Sequence, residues 1–104
     1  MQLIFNRQVA EQLDETYTIL ELEEVTKDGV TLEVFCVVPV EKIGLSELPN
    51  LEHNKHLHNE FISAYKRCEY KVCKDLYEHV RNNFGGEVTS FYDEILRRIT
   101  DIES

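Results

Sequence analysis

Two patterns divide the chain. From Thr18 to Pro39, two extended runs, Thr18–Val25 and Val30–Val38, flank Lys27-Asp28-Gly29. From Leu51 onward the apolar spacing lengthens to that of a helix. A period of two broken by Asp-Gly predicts an antiparallel hairpin, and a period near 3.6 predicts helices.

The hairpin's faces bear on its loop length. A two-residue loop at Asp28-Gly29 sets Val25 against Leu32 but Leu22 against Phe35, which mixes the faces. A three-residue loop with Gly29 left-handed sets Leu22 against Val34 and Leu20 against Cys36. One face is then uniformly apolar: Leu20, Leu22, Leu32, Val34, Cys36 and Val38. Register follows the buried face, so the three-residue loop is expected. The opposite face carries Glu21, Glu23 and Glu33, with Ile19, Phe35 and Val37 farther from the turn, and Glu23 faces Glu33 directly.

Before the hairpin, Asn6 can cap a helix over Arg7 to Glu15. Phe5 and Ala10 stand at hydrophobic-staple positions, and Val9, Ala10, Leu13 and Tyr17 fall at helical spacing. Leu3-Ile4-Phe5 reads as a short strand. After the hairpin, Val40 to Asn50 is a connector broken by Gly44 and Pro49, with room for a short strand or one helical turn near Ile43 to Leu48. Three apolar stripes follow. Leu57, Phe61, Ala64, Tyr65 and Cys68 make the first, and Tyr70, Cys73, Tyr77, Val80 and Phe84 the second. Val88, Phe91, Tyr92, Ile95, Ile99 and Ile102 make the third. Gly85-Gly86 closes the second helix. The expected fold is α+β: an N-terminal helix and a β-hairpin, extended by the first strand to three strands, packed against three C-terminal helices. At 104 residues the chain is expected to form one domain, 1–104.

Tyr70-x2-Cys73-x3-Tyr77-x2-Val80, preceded by Ala64-Tyr65 and followed by the helix over 88–102, resembles a tetratricopeptide-type helical hairpin. The resemblance covers about a quarter of the chain, its turn is one residue short of that family's spacing, and no second repeat follows. It implies a helical hairpin and a peptide-binding role.

Composition narrows the function classes. Hydrophobic residues are 42% and charged residues 30% of the chain, which favours a packed globule over disorder. The longest apolar run, Val34 to Val40, is far short of the ~18 residues of a membrane span, and the N-terminus lacks a signal-peptide layout. Three cysteines without a disulfide framework suit a reducing, cytoplasmic setting. The net charge of −9 is uneven. Up to position 33, Glu11, Asp14, Glu15, Glu21, Glu23, Glu24, Asp28 and Glu33 meet only Arg7 and Lys27. Such a surface argues against direct nucleic-acid binding, which needs cations to displace counterions. It suits a basic protein partner.

The candidate chemistry is sparse. On a helix, His53, His56 and Glu60 lie on one side, and two imidazoles with a carboxylate are a donor set that zinc accepts. His58 falls on another side and is expected in solvent, with His53 at the edge of the apolar stripe. The i to i+7 reach of about 10 Å would strain such a metal site. Cys36, Cys68 and Cys73 all fall on apolar faces, where a thiol acts as a small hydrophobe. Cys68 also stands among Lys66, Arg67 and Lys71, cations that can lower a thiol pKa. Gly85-Gly86-Glu87 lacks the Lys and Ser/Thr of a phosphate loop. No acid, base and nucleophile converge, and no cofactor is implied.

The expected function is therefore that of a small, acidic, non-enzymatic interaction or regulatory protein. Like charges at Glu23 and Glu33 would destabilise the strand pair, and a partner's Lys or Arg would relieve them. The expected interaction surface is Glu21, Glu23, Glu33, Phe35 and Val37, which would bind a basic protein or a second copy of the chain. One alternative is an inhibitor that mimics nucleic-acid charge, of the phage accessory or anti-defence kind. Another is a metal-binding module at His53, His56 and Glu60.

Overall fold

Asn6 begins the first helix as its side chain predicts. Asn6 Oδ1 accepts from the amides of Gln8 (2.8 Å) and Val9 (3.3 Å). The computed structural model describes residues 2–14 and 16–104. Strand β1 is Gln2–Ile4 and helix α1 is Arg7–Leu13. The predicted helix end at Glu15 lies outside the described residues. Strands β2 (Thr18–Lys27) and β3 (Val30–Val38) form the hairpin. Helices α2 (Leu51–Lys66), α3 (Tyr70–Val80) and α4 (Thr89–Glu103) follow. The architecture is α+β, with an antiparallel sheet in the order β1-β3-β2.

The hairpin register corrects the expected one. The loop has two residues, Asp28 (φ 54°) and Gly29 (φ 79°), and Lys27 pairs with Val30. Two successive left-handed residues make the turn that matches strand twist, and Asp-Gly supplies them. Nearest the turn, Val25 therefore faces Leu32 and Glu23 faces Val34. Farther away, Glu21 faces Phe35 and Leu20 faces Cys36, the pairing that the apolar face demanded. A β-bulge between Glu21 and Glu23 absorbs the extra residue, Leu22. The expected three-residue loop is thus not formed, but the register argued from it holds beyond the bulge, and the two-residue register holds next to the turn.

The bulge has two consequences. Glu23 leaves the face of Glu21 and Glu33 and pairs opposite Val34, on the helix-covered side. Glu33 faces Glu24 instead of Glu23. The turn-proximal part runs beyond the helices, so Leu32, expected in the core, is exposed with Val25 and Val30.

The core lies between the sheet and the three C-terminal helices. Leu20, Leu22, Val34, Cys36 and Val38 meet Phe61, Ala64, Cys73, Val80, Phe84, Val88, Tyr92, Ile95 and Ile99. Close packing follows from the three stripes. Phe61 and Tyr92 meet edge to face at 5.1 Å between centroids. Helices α2 and α3 are neighbours, as the tetratricopeptide-like spacing implies. Cys68, expected on the apolar stripe, is exposed instead. It adopts φ 62° in the turn that ends α2, while the Glu69 amide reaches back to the Ala64 carbonyl at 2.9 Å. That is the position a glycine usually takes after a helix.

The second stripe also ends differently. Helix α3 stops at Val80, and Phe84, Gly85 and Gly86 all adopt positive φ (58°, 64° and 77°). The Glu47 carboxylate accepts hydrogen bonds from the Phe84 and Gly85 amides, which fastens this left-handed turn to the connector. The connector itself holds two short 3-10 turns, Val40–Lys42 and Leu48–Asn50.

Candidate functional site

Helix α1 lies against the sheet face that the three long helices leave free. Of its predicted stripe only Ala10 is buried. Phe5, at the staple position, is exposed. The Arg7 guanidinium stands 5.3 Å over the Phe35 ring and pairs with the Glu33 carboxylate. That carboxylate holds the Arg7 pKa above its ordinary value, with smaller help from Glu21 and Glu11. Phe35 and Val37, expected on an open interaction surface, are 5% exposed each.

Three of the hairpin acids are likewise committed within the molecule. Glu21 accepts from Lys66 Nζ at 3.1 Å and Glu23 from Arg98 Nη1 at 2.7 Å, while Glu33 meets Arg7. The like-charge strain expected between Glu23 and Glu33 is absent, because the bulge separates them and each has its own cation. Three elements far apart in sequence supply these cations, and no local pattern announced them.

Between α1 and the sheet a groove of about 260 Å³ remains, lined by Arg7, Ala10, Glu11, Asp14, Ile19, Glu21, Phe35 and Asn59. Its floor is apolar, from Ala10, Ile19 and Phe35. Its rim carries Glu11 and Asp14, together with Glu21, held by Lys66, and Arg7, held by Glu33. Neither Glu11 nor Asp14 makes an ion pair among the described residues. Sequence reasoning saw these two acids only as an extension of the hairpin patch. A larger groove of about 470 Å³ lies on the other side of the hairpin, among Leu22, Glu23, Glu24, Ile62, Tyr65, Lys66, Cys68, Tyr70 and Arg98. Its charges balance, Glu23 and Glu24 against Lys66 and Arg98, with Glu23 joined to Arg98, so it exerts little net attraction on either sign of charge.

The histidines sort differently from the expectation. His53 and His56 are exposed, and His56 Nε2 lies 3.8 Å from Glu60 Oε1. Among the described residues, no three His, Cys, Asp or Glu side chains converge as a metal set. His58, expected in solvent, is fully buried. Its Nδ1 is 2.7 Å from Tyr92 Oη and its Nε2 is 2.6 Å from the Glu21 carbonyl oxygen. Helix α2 buries a second row, Asn54, His58 and Ile62, beside the stripe read from sequence. The spacing i, i+4, i+8 was the available signal, but two polar members concealed it. Burial pushes the His58 pKa down, against an opposing pull from the Glu21 carbonyl and carboxylate.

No family model matches this chain, and neither a curated protein nor a solved structure matches it. No described helix is long and apolar enough to cross a membrane.

Proposed function

We propose that the protein is a small, non-enzymatic interaction module that takes a basic segment of a protein partner into the groove between α1 and the sheet. The observation that carries this reading is the combination of an apolar floor with Glu11 and Asp14, rim acids without an ion pair among the described residues. Lysine and arginine pair an apolar stem with a cationic head, and such a groove suits both parts. The chain's net charge of −9 would steer a cationic partner toward it. The surface is displaced from the expected one, since Glu23, Phe35 and Val37 serve the fold. His58 is unsuited to act as a general base, because both ring nitrogens are engaged inside the core. The charge-mimic alternative draws less support, because Glu21, Glu23 and Glu33 are partnered within the chain. A dimer through the hairpin would now use Val25, Val30 and Leu32 near its turn, and sedimentation at rising concentration tests that.

A labelled peptide of alternating arginine and leucine is the direct probe of the groove. Saturable binding is expected, weakened about tenfold or more in Glu11→Lys/Asp14→Lys and by added salt. Glu41→Lys/Asp75→Lys changes the net charge equally but away from the groove. Equal weakening by both double variants would reduce the interaction to bulk charge and overturn the proposal.

A further inference from the structure

We propose that His58 is a proton-sensitive latch that ties α2 to the edge strand β2 and to α4. Its geometry fixes the direction of both hydrogen bonds. The Glu21 carbonyl can only accept, so Nε2 donates to it at 2.6 Å. In the neutral ring Nδ1 is then the acceptor, and Tyr92 Oη donates to it at 2.7 Å. One imidazole thus joins three elements through two short hydrogen bonds without carrying charge.

A proton added to this ring must go to Nδ1, the atom that accepts from Tyr92. Nδ1 and the phenol would then both donate along one line. The phenol proton would have to turn away, and among the described residues His58 is the only hydrogen-bond partner of Tyr92 Oη. Tyr92 is fully buried, so water does not replace that partner. Protonation therefore strands one buried donor and places a cation in the core, and both effects favour release of the ring.

The surroundings of His58 agree. From β2, the Glu21 carbonyl and carboxylate favour the cation, but that carboxylate already holds Lys66 of α2 at 3.1 Å. From α4 comes the neutral phenol of Tyr92, whose own pKa is raised by burial and by the Cys36 thiol of β3. From the turn before α4 comes the Phe84 ring, perpendicular at 6.2 Å. Desolvation outweighs the help from Glu21, so the folded-state pKa lies below the ordinary 6.5. The stability that the neutral ring contributes is fully present above 6.5, and is lost as the pH falls through the folded-state value.

His58→Gln is the decisive variant. Its amide nitrogen can donate to the Glu21 carbonyl and its amide oxygen can accept from Tyr92, yet it does not titrate. Urea unfolding at pH 7.5 and pH 5.0 compares the two full-length chains. The wild-type folding equilibrium should fall several-fold more than that of His58→Gln over this interval. An equal fall overturns the latch. Nitrogen NMR of the wild-type imidazoles tests the same idea even where the variant does not fold. The His58 ring should hold its Nε2–H form, with Nδ1 bare, as the pH falls below 6.5, and a ring already charged at that pH overturns the proposal. Hydrogen exchange, corrected for intrinsic rates, locates the opening. Protection should drop first in α2 and β2 at pH 5.0, and a uniform drop would mean global weakening without a latch.

Discussion

Arg98 on α4 donates to Glu23 on β2 at 2.7 Å, across 75 positions of sequence. The pair exists because the bulge at Leu22 turns Glu23 toward the helices. It is partly shielded, with the two side chains 34% and 28% exposed, and Glu94 also accepts from Arg98 at 3.2 Å. Glu23 contributes most to holding the Arg98 pKa above its ordinary value, with smaller help from Tyr65 and Glu94. A double-mutant cycle with Glu23→Gln and Arg98→Met should give a coupling of about 0.5–1 kcal/mol in urea unfolding. Simple additivity would show that the bulge is retained for the packing of Leu22 alone.

Two of the left-handed glycines, Gly29 and Gly85, should respond differently to one methyl group. Gly29 has φ 79° and nothing within 4 Å of a Cβ, so Gly29→Ala should cost about 1 kcal/mol, from conformation alone. A Cβ at Gly85 would fall onto the Lys42 carbonyl, which is backbone and cannot turn aside. Gly85→Ala should therefore cost several times as much, about 3 kcal/mol or more, or prevent folding. Thermal unfolding of the two variants under one buffer makes the comparison. Similar melting temperatures would contradict the tight approach of this turn to the connector.

Thiol chemistry should separate the cysteines. Burial pushes both Cys36 and Cys73 up to about 11, so at pH 8 they remain thiols inside the core, while Cys68 is exposed. Native protein treated with iodoacetamide at pH 8 should gain one adduct by mass spectrometry, at Cys68. In denaturant all three cysteines should react. Rapid native labelling of Cys36 or Cys73 would contradict their burial.

Zinc tests the side of α2 that carries His53, His56 and Glu60. His56 and Glu60 are exposed and 3.8 Å apart, and a third ligand does not converge with them among the described residues. Zinc at a small excess over protein should leave the melting temperature unchanged. A rise that disappears in His56→Ala would revive the metal module.

The helical elements were the most legible. Of the stripe Val88, Phe91, Tyr92, Ile95, Ile99 and Ile102, all but Ile102 are buried on the inner side of α4 and its cap, because a regular 3.6 period leaves one solution, while Ile102 in the last turn is exposed. Asn6 announced the start of α1 through a capping bond that spans only a few residues. The hairpin was half legible: Asp28-Gly29 demanded a two-residue turn, the apolar face demanded a shifted register, and the bulge satisfies both. The candidate site was least legible. Glu11 and Asp14 were visible as acids, but the groove depends on where α1 settles on the sheet.

What the sequence by itself determined is local: the caps, the turn residues, the helical periods and the alternation of the strands. Each reflects energies exchanged between residues a few positions apart. The tertiary structure alone decided which polar groups belong to the interior. His58 is buried because Tyr92 and the Glu21 carbonyl, 34 and 37 positions away, accommodate both of its nitrogens. Glu21, Glu23 and Glu33 are quiet because Lys66, Arg98 and Arg7 arrive from three separate helices. A polar or charged group enters a protein only where its partners already stand, and those partners are set by packing, which no short stretch of sequence contains.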